Sequence, residues 1–406
     1  MYNISPVSFF LKQFKTTLKM SARKLTFIPG PIEFSDNVLA AMATPSQAHT
    51  SPEFIKVFQS ALVKTRKVFN TSVESKSQPF ILSGSGTLGW DITGANFVNQ
   101  GDNVLVLSTG FFSDSFANCL RVYTDNVDVL EAPQFGATVD INSVSEKISS
   151  KSYDLITITQ TDTSSGVLSN VEEISKLIKK ISPNSLIIVD AVCATACETL
   201  KFDSWGIDFV LTASQKAIGV PAGLSISLAS SRAIEKALAK SKPTAFFADI
   251  KRWIPIMQAY ESGKGAYFAT PAVQLVHALN VSLDELLSKS DLTIDERIEA
   301  HKIASDSFKD KLENQLGLKL VPISRDVAAH GLSVVYYPEG INAADLLTKM
   351  AENGFTIAGG IYKEYKDKYF RIGHMGVSAV GERKQELDQC FEALKLSLSQ
   401  LGYEKK

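Results

Sequence analysis

The chain has little cysteine: Cys119, Cys193, Cys197 and Cys390 are all it carries in 406 residues. That spacing makes neither a disulfide framework nor a zinc site, because one C-x3-C pair has no second pair to complete a tetrahedral set. The four are read as buried, reduced thiols of an intracellular protein. No run of about 18 uncharged apolar residues occurs, so no membrane-spanning helix is expected. Charge of one sign is not in excess either: 42 basic against 43 acidic residues leave a net charge of −1. No electrostatic footprint for nucleic acid or a membrane follows from that balance. Internal repeats, low-complexity tracts and a Walker A sequence are also missing.

What remains is ordinary globular composition, 45% hydrophobic and 21% charged. The length suits a large domain with a smaller one attached. Residues 1–24 stand apart. They hold Lys12, Lys15, Lys19, Arg23 and Lys24, and the first acid in the chain is Glu33. Phe9, Phe10, Leu11, Phe14 and Leu18 can share one helical face. This basic, acid-free, amphipathic composition resembles a mitochondrial transit peptide, although only one arginine is present. The alternatives are a disordered arm, or an upstream extension with Met20 as the true start, in a cytoplasmic protein. The last residues, Tyr403-Glu404-Lys405-Lys406, lack the S-K-L peroxisomal signal.

Short apolar runs alternate with helical patterns along the rest. Strands are expected at 79–82, 104–107, 127–130, 155–159, 186–189, 207–211 and 224–228. Helices are expected at 88–98, 113–123 and 140–150, and an N-cap Ser51 followed by Pro52 and Glu53 opens another. Such alternation predicts an α/β fold, a large mainly parallel (mixed) sheet with helices on both faces, over residues 25–290. From 291 to 406 the texture changes to a charged helix (294–316), fewer strands and a helix (342–353) that ends at Asn353-Gly354, which reads as a smaller α/β domain.

The stretch 186–216 organises the chemistry. Leu186-Ile187-Ile188-Val189 ends on Asp190, and the run 207–211 leads through Thr212-Ala213-Ser214-Gln215 to Lys216. Buried parallel strands present ligands at their carboxyl ends. An acid and an amine are therefore delivered to one edge of one sheet. Pyridoxal 5'-phosphate (PLP) needs that pair: a lysine for a Schiff base and a carboxylate to keep the pyridine nitrogen protonated. The plainer alternative is a strand-end aspartate and a solvated lysine. The flanking Ala217-Ile218-Gly219-Val220 is not an ordinary charged face.

Other stretches fit around this pair. Ser83-Gly84-Ser85-Gly86-Thr87, between a strand and a helix, has the small residues and bare N–H groups of an anion site. It is read as a single-phosphate site, not a dinucleotide or ATP loop. Phe112 can stack on a planar ring or pack in the core. The hydroxyl-rich exit 160–166 can donate to a phenolate oxygen or be a solvated loop. Gly30, within Phe27-Ile28-Pro29-Gly30-Pro31, allows backbone to approach a ligand or simply makes a turn. Tyr267 and Thr270 are candidate phosphate donors in a Gly-rich loop. Arg371 lies in the apolar strand Tyr369-Phe370-Arg371-Ile372, where it needs a partner: a substrate carboxylate, or a structural aspartate. His374 is read as making a local hydrogen bond.

Taken together, Ser-Gly-Ser-Gly at 83–86, Val-Asp-Ala-Val at 189–192, Ser-Gln-Lys at 214–216, Ala-Tyr-Phe-Ala-Thr-Pro at 266–271 and Arg-Ile-Gly at 371–373 resemble the class V aminotransferases of PLP fold type I. The resemblance spans about residues 26–400 and is nearest to fungal members that use alanine and glyoxylate. It implies a homodimer with PLP at the subunit interface, and amino and 2-oxo acid substrates. It implies Lys216 as the Schiff-base lysine and proton shuttle, Asp190 on the pyridinium, and Val192 under the ring. Ser85, Gly86, Thr87 and Gln215 would hold the phosphate, with Tyr267 and Thr270 reaching it from the other subunit. Phe112 would stack on the ring, Thr163 would donate to its phenolate oxygen, and Arg371 and Gly30 would meet the substrate. Thr87 stands where animal members have histidine, and Phe112 where they have tryptophan. Serine–pyruvate or serine–glyoxylate transamination is the alternative activity, and a non-catalytic scaffold a further one. A cysteine desulfurase is disfavoured because no cysteine looks exposed and activated.

Overall fold

The computed structural model describes residues 23–288 and 293–405. The transit-peptide reading falls mostly on residues 1–22 and so lies outside the described residues. Seven strands form the main sheet, in the order Gln78–Ser83, Leu224–Ala229, Phe209–Ala213, Leu186–Asp190, Leu155–Thr159, Val104–Ser108, Val127–Glu131. Leu224–Ala229 runs antiparallel to both neighbours and every other pairing is parallel. The sheet is therefore mixed and mainly parallel, as the alternation predicts. Its central strands are buried at every residue, which is why they read as continuous apolar runs rather than alternating ones. Each fully buried Val, Leu, Ile or Phe in them contributes roughly 1.5–3 kcal/mol.

Register sets the site. Thr159 lies opposite Asp190, and Asp190 opposite Leu211, so two strands end level at one edge and the third, Phe209–Ala213, runs two residues past them toward Lys216. The third of these strands is shifted slightly from its expected place. The run expected at 207–211 pairs instead as Phe209–Ala213. Just before it, the buried Asp208 carboxylate accepts the Ile187 N–H at 2.8 Å and binds the Arg232 guanidinium. Likewise the helix expected from Leu88 begins at Gly86 and runs to Phe97.

A second, three-stranded antiparallel sheet places Tyr369–Gly373 between Leu332–Tyr336 and Ala358–Gly359. Helices Asp295–Asn314, Ala343–Glu352 and Gln385–Gln400 contribute Phe308, Leu312, Leu346, Phe391 and Leu394 to an apolar cluster over it. Phe27 joins that cluster, and Leu25–Thr26 pairs in parallel with Phe355–Thr356. The first described strand thus sits with the C-terminal elements, and the chain crosses to the large sheet through Pro29-Gly30-Pro31. Among the described residues no helix is long and apolar enough to cross a membrane.

Candidate active site

A cavity of about 140 Å³ opens at the carboxyl ends of the central strands, lined by Ser85, Gly86, Thr87, Trp90, Phe112, Thr159, Thr161, Thr163, Asp190, Val192, Cys193, Gln215 and Lys216. Larger depressions, of about 580 and 560 Å³, lie elsewhere on the surface. The small one is where the acid and the amine meet.

At one end the helix Gly86–Phe97 presents its N-terminus. Ser85 occupies the N-cap position with extended backbone, yet its side chain makes no capping hydrogen bond. The first N–H groups of the helix are thus left for a ligand, at the positive end of the helix dipole. Gln215 lines the same cavity, its side-chain oxygen buried without a partner. A side chain at Gly86 would place its Cβ 2.9 Å from Val192 Cγ2, so only glycine leaves the cradle open. The expectation that this turn is not a G-x-G-x-x-G sequence is wrong as to spacing: Gly84, Gly86 and Gly89 stand in that pattern. The fold removes its dinucleotide meaning: the preceding strand Gln78–Ser83 pairs only with an antiparallel neighbour, not within a parallel strand–helix–strand unit. Gly89 serves packing, since a Cβ there would lie 2.7 Å from Leu211 Cβ.

Asp190 is buried, and each carboxylate oxygen has a donor. Trp90 Nε1 donates to Oδ2 at 2.7 Å, and the Val192 N–H donates to Oδ1 at 3.0 Å. Burial pushes this carboxyl up to about 6, while the Val192 and Trp90 hydrogen bonds pull the other way. Lys216 Nζ donates to the Pro29 carbonyl at 2.5 Å. Gly30, at φ +93°, lies directly over that lysine: a Cβ on it would come within 2.3 Å of Lys216 Cδ. The structure thus places Gly30 against Lys216, where any side chain would displace the amine.

Two loops close the cavity from the side, and one acid ties them together. Asp162 is fully buried. It accepts from the main-chain N–H groups of Phe112 and Ser113 and from the Ser113 hydroxyl, each at 3.1 Å. It also accepts from Ser164 N at 3.0 Å and Ser164 Oγ at 2.6 Å. Burial raises its proton affinity and these donors oppose the rise. Phe112 and Thr163, on the two loops, are held in position by this one carboxylate. The sequence signal was an acid inside a run of hydroxyl residues, but its partner Ser113 is far away along the chain. Trp90, Cys193, Thr159 and Thr161 were likewise not singled out.

Arg371 is buried beside this loop. Its Nε donates to the Gly359 carbonyl at 2.8 Å and Nη1 reaches the Thr163 carbonyl at 3.4 Å. Among the described residues no carboxylate pairs with it, so the structural Arg–Asp alternative does not form. Burial pushes its pKa down, the mark of a guanidinium short of a counter-charge. His374 bonds Ser333 Oγ at 2.9 Å, a local bond as expected. Tyr267, 62% exposed, stacks near His49 outside the cavity, and Thr270 is exposed as well. Neither belongs to the site formed by its own chain. Burial raises the thiols of Cys119, Cys193, Cys197 and Cys390, which leaves no activated thiolate for desulfurase chemistry.

The residues present fit PLP: an open helix N-terminus for a phosphate, Val192 and Phe112 on the cavity wall for a ring, a buried carboxylate for a ring nitrogen, and an amine for an aldehyde. Comparison with known proteins agrees. The family profile described as Aminotransferase class-V matches residues 32–362. Alanine–glyoxylate aminotransferase 1 of Saccharomyces cerevisiae is 49% identical over 380 residues, 91% of this chain and 97% of that protein. A serine–glyoxylate aminotransferase of Arabidopsis thaliana is 26% identical over 93% of this chain and 90% of its own length. Among solved structures, an alanine–glyoxylate aminotransferase from Nostoc sp. superposes with a TM-score of 0.83 at 25% identity, covering 93% of this chain and 95% of that one.

Proposed function

The chain belongs to the class V aminotransferases, and we propose that it moves the amino group of L-alanine to glyoxylate, giving pyruvate and glycine. The observation that carries the reading is the meeting of Lys216 and Asp190 in one small cavity, with Arg371 buried nearby and unmatched by any acid. The 49% identity to the yeast alanine–glyoxylate enzyme supports the choice of substrates.

PLP, when bound, supplies an aldehyde that takes up an amino group and a ring that accepts electrons. This chain's residues do the rest. Ser85, Gly86, Thr87 and Gln215 hold the phosphate at the helix N-terminus. Val192 and Phe112, on the cavity wall, would hold the ring, and Thr163 would serve its hydroxyl oxygen. Asp190 would keep a ring nitrogen protonated. Lys216 would supply the amine that holds the aldehyde and the base that carries the substrate Cα proton. Arg371 grips the substrate carboxylate bidentately, which aims the Cα–H bond at that amine. Over the two substrates the exchange balances: alanine would give up its amino group and become pyruvate, and glyoxylate would take that group in place of its carbonyl oxygen and become glycine.

Two subunits complete the site in this reading. Tyr267 and Thr270 are exposed and outside their own cavity, and Phe246 (67% exposed) and Phe111 (42%) add apolar surface that suits burial against a second copy. Serine is the competing donor, supported by the Arabidopsis relative at lower identity. A panel of purified protein with alanine against serine, and glyoxylate against pyruvate, tests the assignment. Alanine with glyoxylate is expected to give the highest kcat/KM; a higher value for serine with pyruvate would replace the proposal.

A further inference from the structure

Trp90 belongs to the buried helix Gly86–Phe97, whose N-terminus faces the phosphate end of the cavity. Its ring is stacked on Phe116, with centroids 5.4 Å apart and planes 14° from parallel. That stack fixes where the indole N–H points, and it points at Asp190 Oδ2, 2.7 Å away. An indole nitrogen only donates. It therefore rewards an accepting oxygen on Asp190 and offers nothing to an O–H group. With the Val192 N–H on Oδ1 at 3.0 Å, both oxygens are held by donors. The charged groups facing this carboxyl are Lys216, which favours its ionised form, and Asp162, which disfavours it; the Cys193 thiol also lies close. A buried acid between a like charge and apolar walls needs such donors to stay ionised.

We propose that Trp90 is a positioning residue: its N–H keeps Asp190 ionised and correctly turned, and so sets the pH range over which the protein retains its cofactor. The proposal rests on reading Asp190 as the partner of the ring nitrogen. Charge-assisted hydrogen bonds of this length are strong enough that losing one shifts a carboxyl by about one to two pH units.

The test has two arms. In the first, the cofactor-free protein is labelled with 15N-tryptophan; its 3 tryptophans give separate indole signals. The signal absent from Trp90→Phe is expected to titrate with Asp190, and to stop titrating in Asp190→Asn. In the second, PLP dissociation constants are measured for wild type and Trp90→Phe, which keeps an aromatic ring against Phe116. The variant is expected to bind about tenfold more weakly at pH 6.5, where a raised carboxyl is protonated, and within about twofold of wild type at pH 9. If Trp90→Phe does not fold, benzothienylalanine at position 90 replaces it, since it keeps the bicyclic shape and lacks only the N–H. An indole signal indifferent to pH overturns the proposal, as does a loss of affinity equal at both pH values, which would mark a packing role. A titrating indole in a protein that binds no PLP would overturn the cofactor clause together with the proposed function, and leave the Trp90–Asp190 coupling standing.

Discussion

Arg371 shows how a single residue is read differently once its neighbours are known. In the sequence it is a cation inside an apolar strand, with either a substrate or an aspartate as partner. In the structure its bonds go to the Gly359 and Thr163 carbonyls, and among the described residues no carboxylate makes an ion pair with it. Arg371→Ala is expected to lower kcat/KM for alanine about a hundredfold or more, mainly through KM, because two charge-assisted bonds to the carboxylate are lost. PLP absorbance of the purified variant should be unchanged; steady-state kinetics showing equal substrate affinity would make the arginine structural. Asp190 gives a pH prediction. Its folded-state carboxyl, near 6, lies above the ordinary value of 3.8. As pH falls through 6 the folded, cofactor-free chain takes up this proton before the unfolded chain does, so this group alone adds stability on acidification. Cofactor affinity should move oppositely, falling toward tenfold per pH unit below 6, because a protonated ring nitrogen needs the ionised acid. Tm of the cofactor-free protein and PLP titrations between pH 5 and about 8, each compared with Asp190→Asn, separate the two trends.

At the scale of elements, the site depends on loops that meet only in the fold. Gly110 opens the helix Phe111–Leu120, and a Cβ on it would lie 2.3 Å from Ser164 Oγ, so the two strand exits touch. Asp162 is the knot between them. Asp162→Asn exchanges an acceptor-only carboxylate for an amide with one acceptor, leaving buried N–H groups of Phe112, Ser113 or Ser164 unsatisfied. The expected result is about 2–4 kcal/mol of lost stability by denaturant unfolding, with weakened PLP binding, since Phe112 and Thr163 are no longer held. Normal stability with normal cofactor binding would show that the loops are positioned by their packing alone.

For the whole molecule, the proposed pairing of two chains rests on Tyr267 and Thr270, which are exposed and lie outside the cavity of their own chain. Lys216→Ala should have no turnover, and Tyr267→Ala should bind PLP more weakly. Refolding the two variants together should restore activity, because a mixed dimer keeps one site with wild-type Lys216 and a wild-type Tyr267 from its neighbour. Absence of any recovery, with mixed dimers present by native mass spectrometry, would mean that Tyr267 does not serve the other subunit.

Much of this protein was determined by local chemistry that a sequence displays. Continuous apolar runs specify strands buried on both faces, and their polar ends mark Asp190 and Lys216, because a parallel sheet puts all such ends on one edge. The small residues at 84–87 likewise announce a backbone that must approach a ligand. Only tertiary structure decided which groups serve those residues. Trp90 reaches Asp190 across 100 positions and Phe112 reaches Asp162 across 50, while Gly30 meets Lys216 from the far end of the chain. Hydrogen bonds between strand exits depend on sheet order and register, which no local pattern encodes, and the low dielectric of the interior is what gives each of them its weight.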